Sequence, residues 1–73
     1  MPYNYTKLNG RVVEICGSQA KFADEMGLSE RSVSLKLNGK IGWKQSEMYK
    51  ASTILKFPVS EIPEYFFVLE VQN

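Results

Sequence analysis

The stretch SQAKFADEMGLSERSVSLKLNG, residues 18–39, decides the fold predicted for this chain. Ser18 precedes one segment of helical periodicity and Ser29 precedes a second, and serine is a preferred residue at the start of a helix. Gly27 follows the first segment directly, and glycine readily takes the positive φ that ends many helices. The pattern predicts two short helices joined by a tight turn, a helix-turn-helix whose second helix is the right size to enter a DNA major groove.

Apolar residues recur on one side of both predicted helices. Phe22, Ala23 and Met26 share a face of the first helix, and Val33 and Leu37 lie four residues apart on the second. Ala23 is small enough to let the second helix come close, and Val33 points back towards the first. These five residues are therefore expected in the core of the motif.

Further helices are predicted on both sides of the motif. The spacing of apolar residues predicts one helix over residues 5–16 and another over residues 44–55. Ser60 is expected to cap a short turn that contains Pro63, which gives a fifth helix of barely two turns. The prediction is a single all-α domain of four to five helices over residues 1–73, with a short apolar tail at its C-terminal end.

Length and composition restrict the class of protein. The chain has 73 residues, of which 44% are hydrophobic and 12% aromatic, a composition typical of one small globular domain. It has no histidine and a single cysteine, so neither the usual zinc ligands nor an internal disulfide is expected. Cys16 is interpreted as a small buried residue. We expect neither a cofactor nor an enzymatic activity, since no Gly-rich phosphate loop and no evident catalytic pair of carboxylates is recognisable.

Segments that would direct the chain to a membrane are not evident. No apolar run is long enough to span a bilayer, and the polar start MPYNYTK does not resemble a signal peptide. A cytoplasmic location is therefore expected.

The net charge is only +1, but the charges are unevenly distributed. Residues 1–57 contain all nine Lys and Arg residues and five of the eight acidic residues, whereas residues 58–73 contain only three glutamates. A basic body with an acidic tail suits contact with phosphates on one side of the molecule. An ordinary mixed surface accounts for the same pattern about equally well.

The side of the second helix that faces away from the core is the predicted reading surface for DNA. Arg31 can donate two hydrogen bonds to guanine, worth about 1–3 kcal/mol of discrimination. Ser34 is short enough to let the helix lie deep in the groove, and Leu35 suits a thymine methyl group, although single exposed leucines are common. Glu30 can accept a hydrogen bond from cytosine or, more simply, complement the helix N-terminus.

The predicted phosphate contacts flank this helix and are Ser18, Gln19, Asn38, Lys40 and Lys44. The first two lie at a helix N-terminus, where free N–H groups favour an anion. The other three follow the second helix and can hold the neighbouring strand. Arg11 and Lys36 are further candidates.

Two apolar features follow the motif. Trp43 is interpreted as a lid on the core rather than as a platform for base stacking. The segment Tyr65–Val71 is β-prone and contains no helix- or strand-breaking residue. Either Phe66 and Leu69 close the bottom of the core, or the segment binds a partner chain through Phe67, Leu69 and Val71.

The helix-turn-helix sequence resembles that of the Cro and lambda-repressor-type (XRE-like) family of phage and bacterial regulators. The matching positions are Gln19, Ala23, Gly27, Val33, Asn38 and Gly39. The tail IPEYFF, residues 62–67, is similar to that of small Cro-like or modulator-of-repression regulators of temperate phages of Gram-positive bacteria.

This resemblance implies a compact, lambda-repressor-like all-α domain of four to five helices. It also implies a homodimer on palindromic double-stranded operator DNA, in the cytoplasm of a bacterial host cell. It implies base contacts from the start and outer face of the second helix, which carried over to this chain are Ser29, Glu30, Arg31, Ser34 and Leu35. It also implies that Gln19 braces a phosphate or a base.

Two functions follow from the sequence. The leading interpretation is a sequence-specific DNA-binding transcriptional regulator of phage Cro/repressor type that reads its operator with helix 29–38. The alternative is an antirepressor-like module that pairs with a phage repressor and alters its operator binding. The low net charge and the apolar, acidic tail suit the alternative, and the two functions are compatible.

Overall fold

The computed structural model describes residues 3–70 and has the predicted all-α architecture. A single 3₁₀ turn, Val59–Glu61, precedes the last helix. The five α-helices are α1 Thr6–Cys16, α2 Gln19–Met26, α3 Glu30–Leu37, α4 Gln45–Ile54 and α5 Ile62–Phe66. The predicted bounds of the first four helices are confirmed to within one residue.

The two predicted serine caps are both present. The Ser18 hydroxyl accepts a hydrogen bond from the backbone N–H of Lys21 at 3.1 Å, and the Ser29 hydroxyl accepts one from Ser32 at 3.0 Å. Gly27 ends α2 with φ +74°, a conformation that favours glycine. The turn between α2 and α3 therefore contains only three residues, which keeps the two helices in close contact.

One apolar core connects the five helices. α2 packs against α1, α3 and α4, and α5 closes the core against α1 and α4. The five core residues predicted for the motif are all buried, as is Trp43, which confirms its interpretation as a lid. The buried hydrophobic residues are Leu8, Val12, Phe22, Ala23, Met26, Val33, Leu37, Trp43, Ala51, Leu55, Phe57, Ile62, Tyr65 and Phe66.

The fifth helix begins differently from the prediction. Pro58 precedes the 3₁₀ turn and no side chain caps it, so the expected cap by Ser60 is wrong. Pro63 lies in the first turn of α5, where its missing N–H costs nothing because that N–H would have no partner within the helix.

The tail differs in part from both interpretations. Tyr65 and Phe66 belong to α5 and are buried, because the helix places both side chains against the core despite their β propensity. Leu69 is 48% exposed and does not close the core. It forms an isolated antiparallel bridge with Tyr3, next to a hydrogen bond from Asn4 N to the carbonyl of Val68 at 2.7 Å. Val71, also assigned to a partner interface, lies outside the described residues.

No helix within residues 3–70 has both the length and the apolar character needed to cross a membrane.

Candidate functional site

The outer face of α3 is open in the structure. Glu30 and Arg31 are exposed, as is Ser29 just before the helix, while Ser34 and Leu35 are half-buried. The hydrophobic side of α3 is anchored by Val33 and Leu37, so the five residues predicted to contact bases lie on or near one accessible surface. Their contact with bases stays a prediction.

The predicted phosphate contacts lie at both ends of the motif. Gln19 is half-buried, and its side-chain amide donates to Asn9 Oδ1 at 3.1 Å, which fixes the start of α2 against α1. Asn38 ends α3 and donates its side-chain amide to the carbonyl of Ser34 at 2.8 Å. Lys40 and Lys44 are exposed in and after the following loop. Asn9 is therefore part of this surface, although its sequence position alone gave no reason to include it.

Arg11 and Lys36, the two further phosphate candidates, have structural contacts instead. The Arg11 guanidinium donates to the carbonyls of Leu55 and Lys56 at 2.8 and 3.0 Å and forms an ion pair with Glu14. It thereby connects α1 to the end of α4. Arg11 and, as described next, Lys36 are engaged by contacts within the protein. The assignment of either residue to a DNA phosphate is therefore not supported.

Lys36 is the more unusual case, because it is only 6% exposed. Its ammonium group donates to Glu47 Oε1 and to the carbonyl of Gly42, both at 2.9 Å, and lies 5.7 Å from the centre of the Trp43 ring. The ion pair links the end of α3 to the first turn of α4 and fixes the loop between them. A buried lysine needs such partners, since an unpaired buried charge is strongly destabilising.

Glu47 completes this network. Its carboxylate also accepts a hydrogen bond from the backbone N–H of Lys44 at 2.8 Å, which caps the start of α4. Burial raises the pKa of Glu47, but the hydrogen bonds from Lys44 and Lys36 and the charges of both lysines outweigh it and lower the pKa below its usual value. Glu47 is therefore held in its charged form at neutral pH.

Two signals in the sequence could have identified this pair. Lys36 lies three residues after Val33, on the side of α3 that faces the core, and so was unsuited to phosphate contact. Glu47 lies three residues after Lys44, at the position where a glutamate reaches back to the start of a helix.

A second surface consists of aromatic and aliphatic side chains around Trp43. Phe66 contacts the Trp43 ring edge-on with a centroid distance of 5.3 Å, and Tyr5 lies 6.4 Å from it on another side. Tyr3 stands between Tyr5 and Phe67, at centroid distances of 6.4 and 5.8 Å. The N-terminal segment and the tail thus meet over the core lid.

Two clefts cross this surface and share Trp43, Met48 and Phe67. We call them together the aromatic groove. The first cleft has a volume of about 290 Å³ and is lined by Tyr3, Tyr5, Gly39, Lys40, Ile41, Gly42, Trp43, Met48, Phe66 and Phe67. The second has a volume of about 480 Å³ and is lined by Trp43, Gln45, Met48, Tyr49, Val59, Ile62, Pro63 and Phe67.

The structure places only part of the predicted partner interface on this groove. Phe67 is 46% exposed and lines both clefts. Leu69 is exposed in the tail but lines neither cleft. The contributions of Tyr3, Ile41 and Tyr49 were missed, because residues so far apart in the sequence come together only through the fold.

Comparison with known proteins gives two findings. The family model described as "Protein of unknown function (DUF739)" matches residues 1–68. The chain is also similar to the modulator of repression (MOR) of the temperate bacteriophage TP901-1 from Lactococcus lactis, whose solution structure is known. The identity is 50%, the match covers 99% of this chain and 97% of that chain, and the TM-score is 0.80. None of the curated proteins matches the chain.

Neither match names the Cro and lambda-repressor-type family, so membership of that wider family stays a prediction. The phage protein belongs to the modulator-of-repression class that the tail sequence resembled. Since the family model spans nearly the whole sequence, the chain belongs to the family described as Protein of unknown function (DUF739).

Proposed function

We propose that this chain is a small phage-type regulator that modulates repression by binding a phage repressor and altering its operator binding. The observation that carries the proposal is the similarity to the TP901-1 modulator of repression, at 50% identity over 99% of this chain. At that identity and with a TM-score of 0.80, the similarity extends over the whole fold.

The composition of the surface supports a protein partner. The net charge is +1, which is low for a protein that binds DNA by itself, because affinity for DNA depends mainly on neutralised phosphates. Large hydrophobic side chains are exposed in the tail and around Trp43. Exposed apolar surface of this kind typically marks a site of protein contact.

Direct operator binding is the second function that we propose, and the open outer face of α3 favours it. Arg31 is exposed on this face, and Lys40 and Lys44 lie beyond its end. In this mode the chain acts as a homodimer whose two α3 helices enter major grooves about 34 Å apart. The two functions can operate in one protein that binds the operator together with the repressor.

One experiment separates these functions. The purified chain is mixed with the repressor encoded in the same phage genome, and complex formation is followed by light scattering and by gel shift on the operator. We expect a mixed complex with changed operator binding and only weak binding by the chain alone. Strong operator binding by the chain alone, without a complex with the repressor, would contradict the first proposal and support the second.

A binding role also fits the chemistry of the site. We propose that the chain acts without catalysis, through contacts of its two surfaces only. Turnover of any substrate by the purified chain would contradict this.

A further inference from the structure

We propose that the aromatic groove is the surface that receives the repressor, and that the occupant is an amphipathic helix with large apolar side chains and an acidic residue near one end. This inference rests on the proposed function, since it names the surface and the chemistry of the partner. The outer face of α3 then stays available for DNA.

The distribution of exposed hydrophobic residues singles out the groove. Tyr3, Ile41, Tyr49, Val59 and Phe67 are each between 39% and 52% exposed, and all five line one of the two clefts. The outer face of α3, in contrast, presents mainly polar and charged side chains. Clustered exposed apolar residues bordered by polar ones are typical of an interface with another protein.

The shape of the groove suits a helix. The two clefts lie side by side and meet at Trp43, Met48 and Phe67, so they can accept two neighbouring anchor side chains in succession. An amphipathic helix presents such anchors at spacings of three or four residues along one face.

Trp43 provides a second, independent observation. Its side chain is 91% buried and lines both clefts, and its indole N–H has no hydrogen-bond acceptor among the described residues. An unsatisfied buried donor is destabilising, and native proteins have few of them. Because the nitrogen itself is covered by protein atoms, a carbonyl or carboxylate oxygen of a partner can reach this N–H and remove that cost only if the side chains over it move on binding.

Charge gives the orientation of the partner. Lys40 lines the first cleft and Lys44 adjoins Trp43, whereas no carboxylate group lines either cleft within residues 3–70. Glu61 and Glu64 adjoin residues of the second cleft in sequence. An acidic side chain of the partner is therefore expected over the lysine end of the groove, which also favours fast association.

Hydrogen bonds hold one wall of the first cleft in place. Lys36 donates to the carbonyl of Gly42 in the wall of the first cleft and lies next to the Trp43 ring. Glu47 fixes both Lys36 and the start of α4. A preformed wall lowers the ordering cost of binding.

Substitutions in the exposed part of the groove test the inference with the full chain and the repressor from the same phage genome. Val59→Asp and Phe67→Asp are expected to weaken the complex at least about tenfold, as for residues at the centre of an interface. Val13→Asp is the matched control, because Val13 is 53% exposed, close to the 52% of Val59, but lies on α1 outside both clefts. It should change the affinity less than about twofold. Circular dichroism confirms that each variant is folded.

Two further measurements test the details. The double charge reversal Lys40→Glu with Lys44→Glu should weaken the complex and slow association. A gain in affinity would contradict the inference that an acidic side chain of the partner lies over these lysines. Trp43 is the only tryptophan in the chain, so its indole N–H gives one ¹⁵N-resolved NMR signal. This signal should shift when the repressor binds, and an unchanged signal in the complex would overturn the groove assignment.

The outcomes are distinguishable. If Arg31→Ala abolishes binding to the repressor while Val59→Asp and Phe67→Asp bind like the parent chain, the repressor docks on α3, and the groove assignment is overturned but the proposed function stands. If the parent chain does not bind the repressor, both fail. A concentration-dependent homodimer that the groove variants dissociate would identify a second copy as the occupant and would also overturn the assignment.

Discussion

The ion pair between Lys36 and Glu47 allows us to predict how replacement of either side chain changes the stability of the fold. Lys36→Met leaves the half-buried Glu47 without its charged partner, and we expect a loss of about 2 kcal/mol in the free energy of unfolding. The double variant Lys36→Met with Glu47→Leu should recover only part of that loss, because no unpaired charge remains but the backbone N–H of Lys44 loses its acceptor. Urea unfolding of Lys36→Met, Glu47→Leu and the double variant, each compared with the parent chain, gives the coupling energy between the two side chains. Lys21→Met, at an exposed position on α2, is the control and should change stability by less than about 0.5 kcal/mol.

The same pair determines a pH dependence. The pKa of Glu47 is lower in the folded chain than its usual value, so the pair stabilises the fold above the carboxyl pKa of the unfolded chain, about 4.3. This contribution is lost as the pH falls through the lower pKa of the folded state. The difference in stability between the parent chain and the double variant should therefore shrink in acid, and a difference independent of pH would contradict the interpretation.

Cys16 allows a chemical test at another position. It is half-buried rather than fully buried, and its thiol donates to Glu25 Oε2 at 3.2 Å. Burial, followed by the hydrogen bond to Glu25 and the charge of Glu25, raises the pKa of the Cys16 thiol to about 11. Because the thiolate is the reactive form, alkylation by iodoacetamide at pH 7.5 should be at least about tenfold slower than for a free cysteine.

The contribution of Glu25 to this pKa can be separated from that of burial. Glu25→Ala removes both the acceptor and the charge, so the alkylation rate should rise several-fold. Asp24→Ala removes a neighbouring exposed charge on the same helix and serves as the control. Equal rates for the two variants would show that Glu25 does not act on the thiol.

Helices α1 and α2 carry two glycines for which alanine should have opposite effects. Gly10 lies within α1 with open space around its Cα, so Gly10→Ala should stabilise the fold by about 0.5–1 kcal/mol. Gly27 ends α2 at φ +74°, and Gly27→Ala should destabilise it by about 1 kcal/mol or more. Thermal unfolding of both variants and the parent chain in the same buffer shows whether each substitution raises or lowers the stability. A stabilising Gly27→Ala would show that the turn into α3 can change shape.

The helices that could be predicted well from the sequence are those whose ends are determined by neighbouring residues rather than by contacts with distant parts of the chain. Ser18, Ser29 and Gly27 act on neighbouring backbone groups, so the bounds of α2 and α3 could be predicted closely from the sequence. Tyr65 and Phe66 have β propensity, but contacts with distant α1 and α4 place them in a helix. The aromatic groove could not be predicted for the same reason, because its walls come from both ends of the chain. The exposed face of α3 was predictable, whereas its binding partner is not a property of local sequence.

For the molecule as a whole, the small number of lysines expected to contact phosphates predicts a shallow dependence of DNA binding on salt. If Lys40 and Lys44 are the lysines that contact phosphates in each protomer, the plot of log K against log salt concentration should have a slope of about −2 per protomer. Lys40→Ala should reduce the slope by about 1 and weaken all DNA sequences alike, while Arg31→Ala should relax specificity at one base pair. Fluorescence titrations at several salt concentrations test this. A slope several-fold steeper would mean that further lysines contact phosphates.

The contact between Tyr3 and the tail has a consequence for the order of assembly during translation. Tyr3 leaves the ribosome before any other residue of the aromatic groove, but its bridge partner Leu69 and its ring partner Phe67 are among the last of the described residues to emerge. Helices α1 to α4 can pack while synthesis continues, whereas this wall of the groove must wait for the tail. A nascent chain is therefore unable to form the finished groove until Phe67 and Leu69 have left the ribosome.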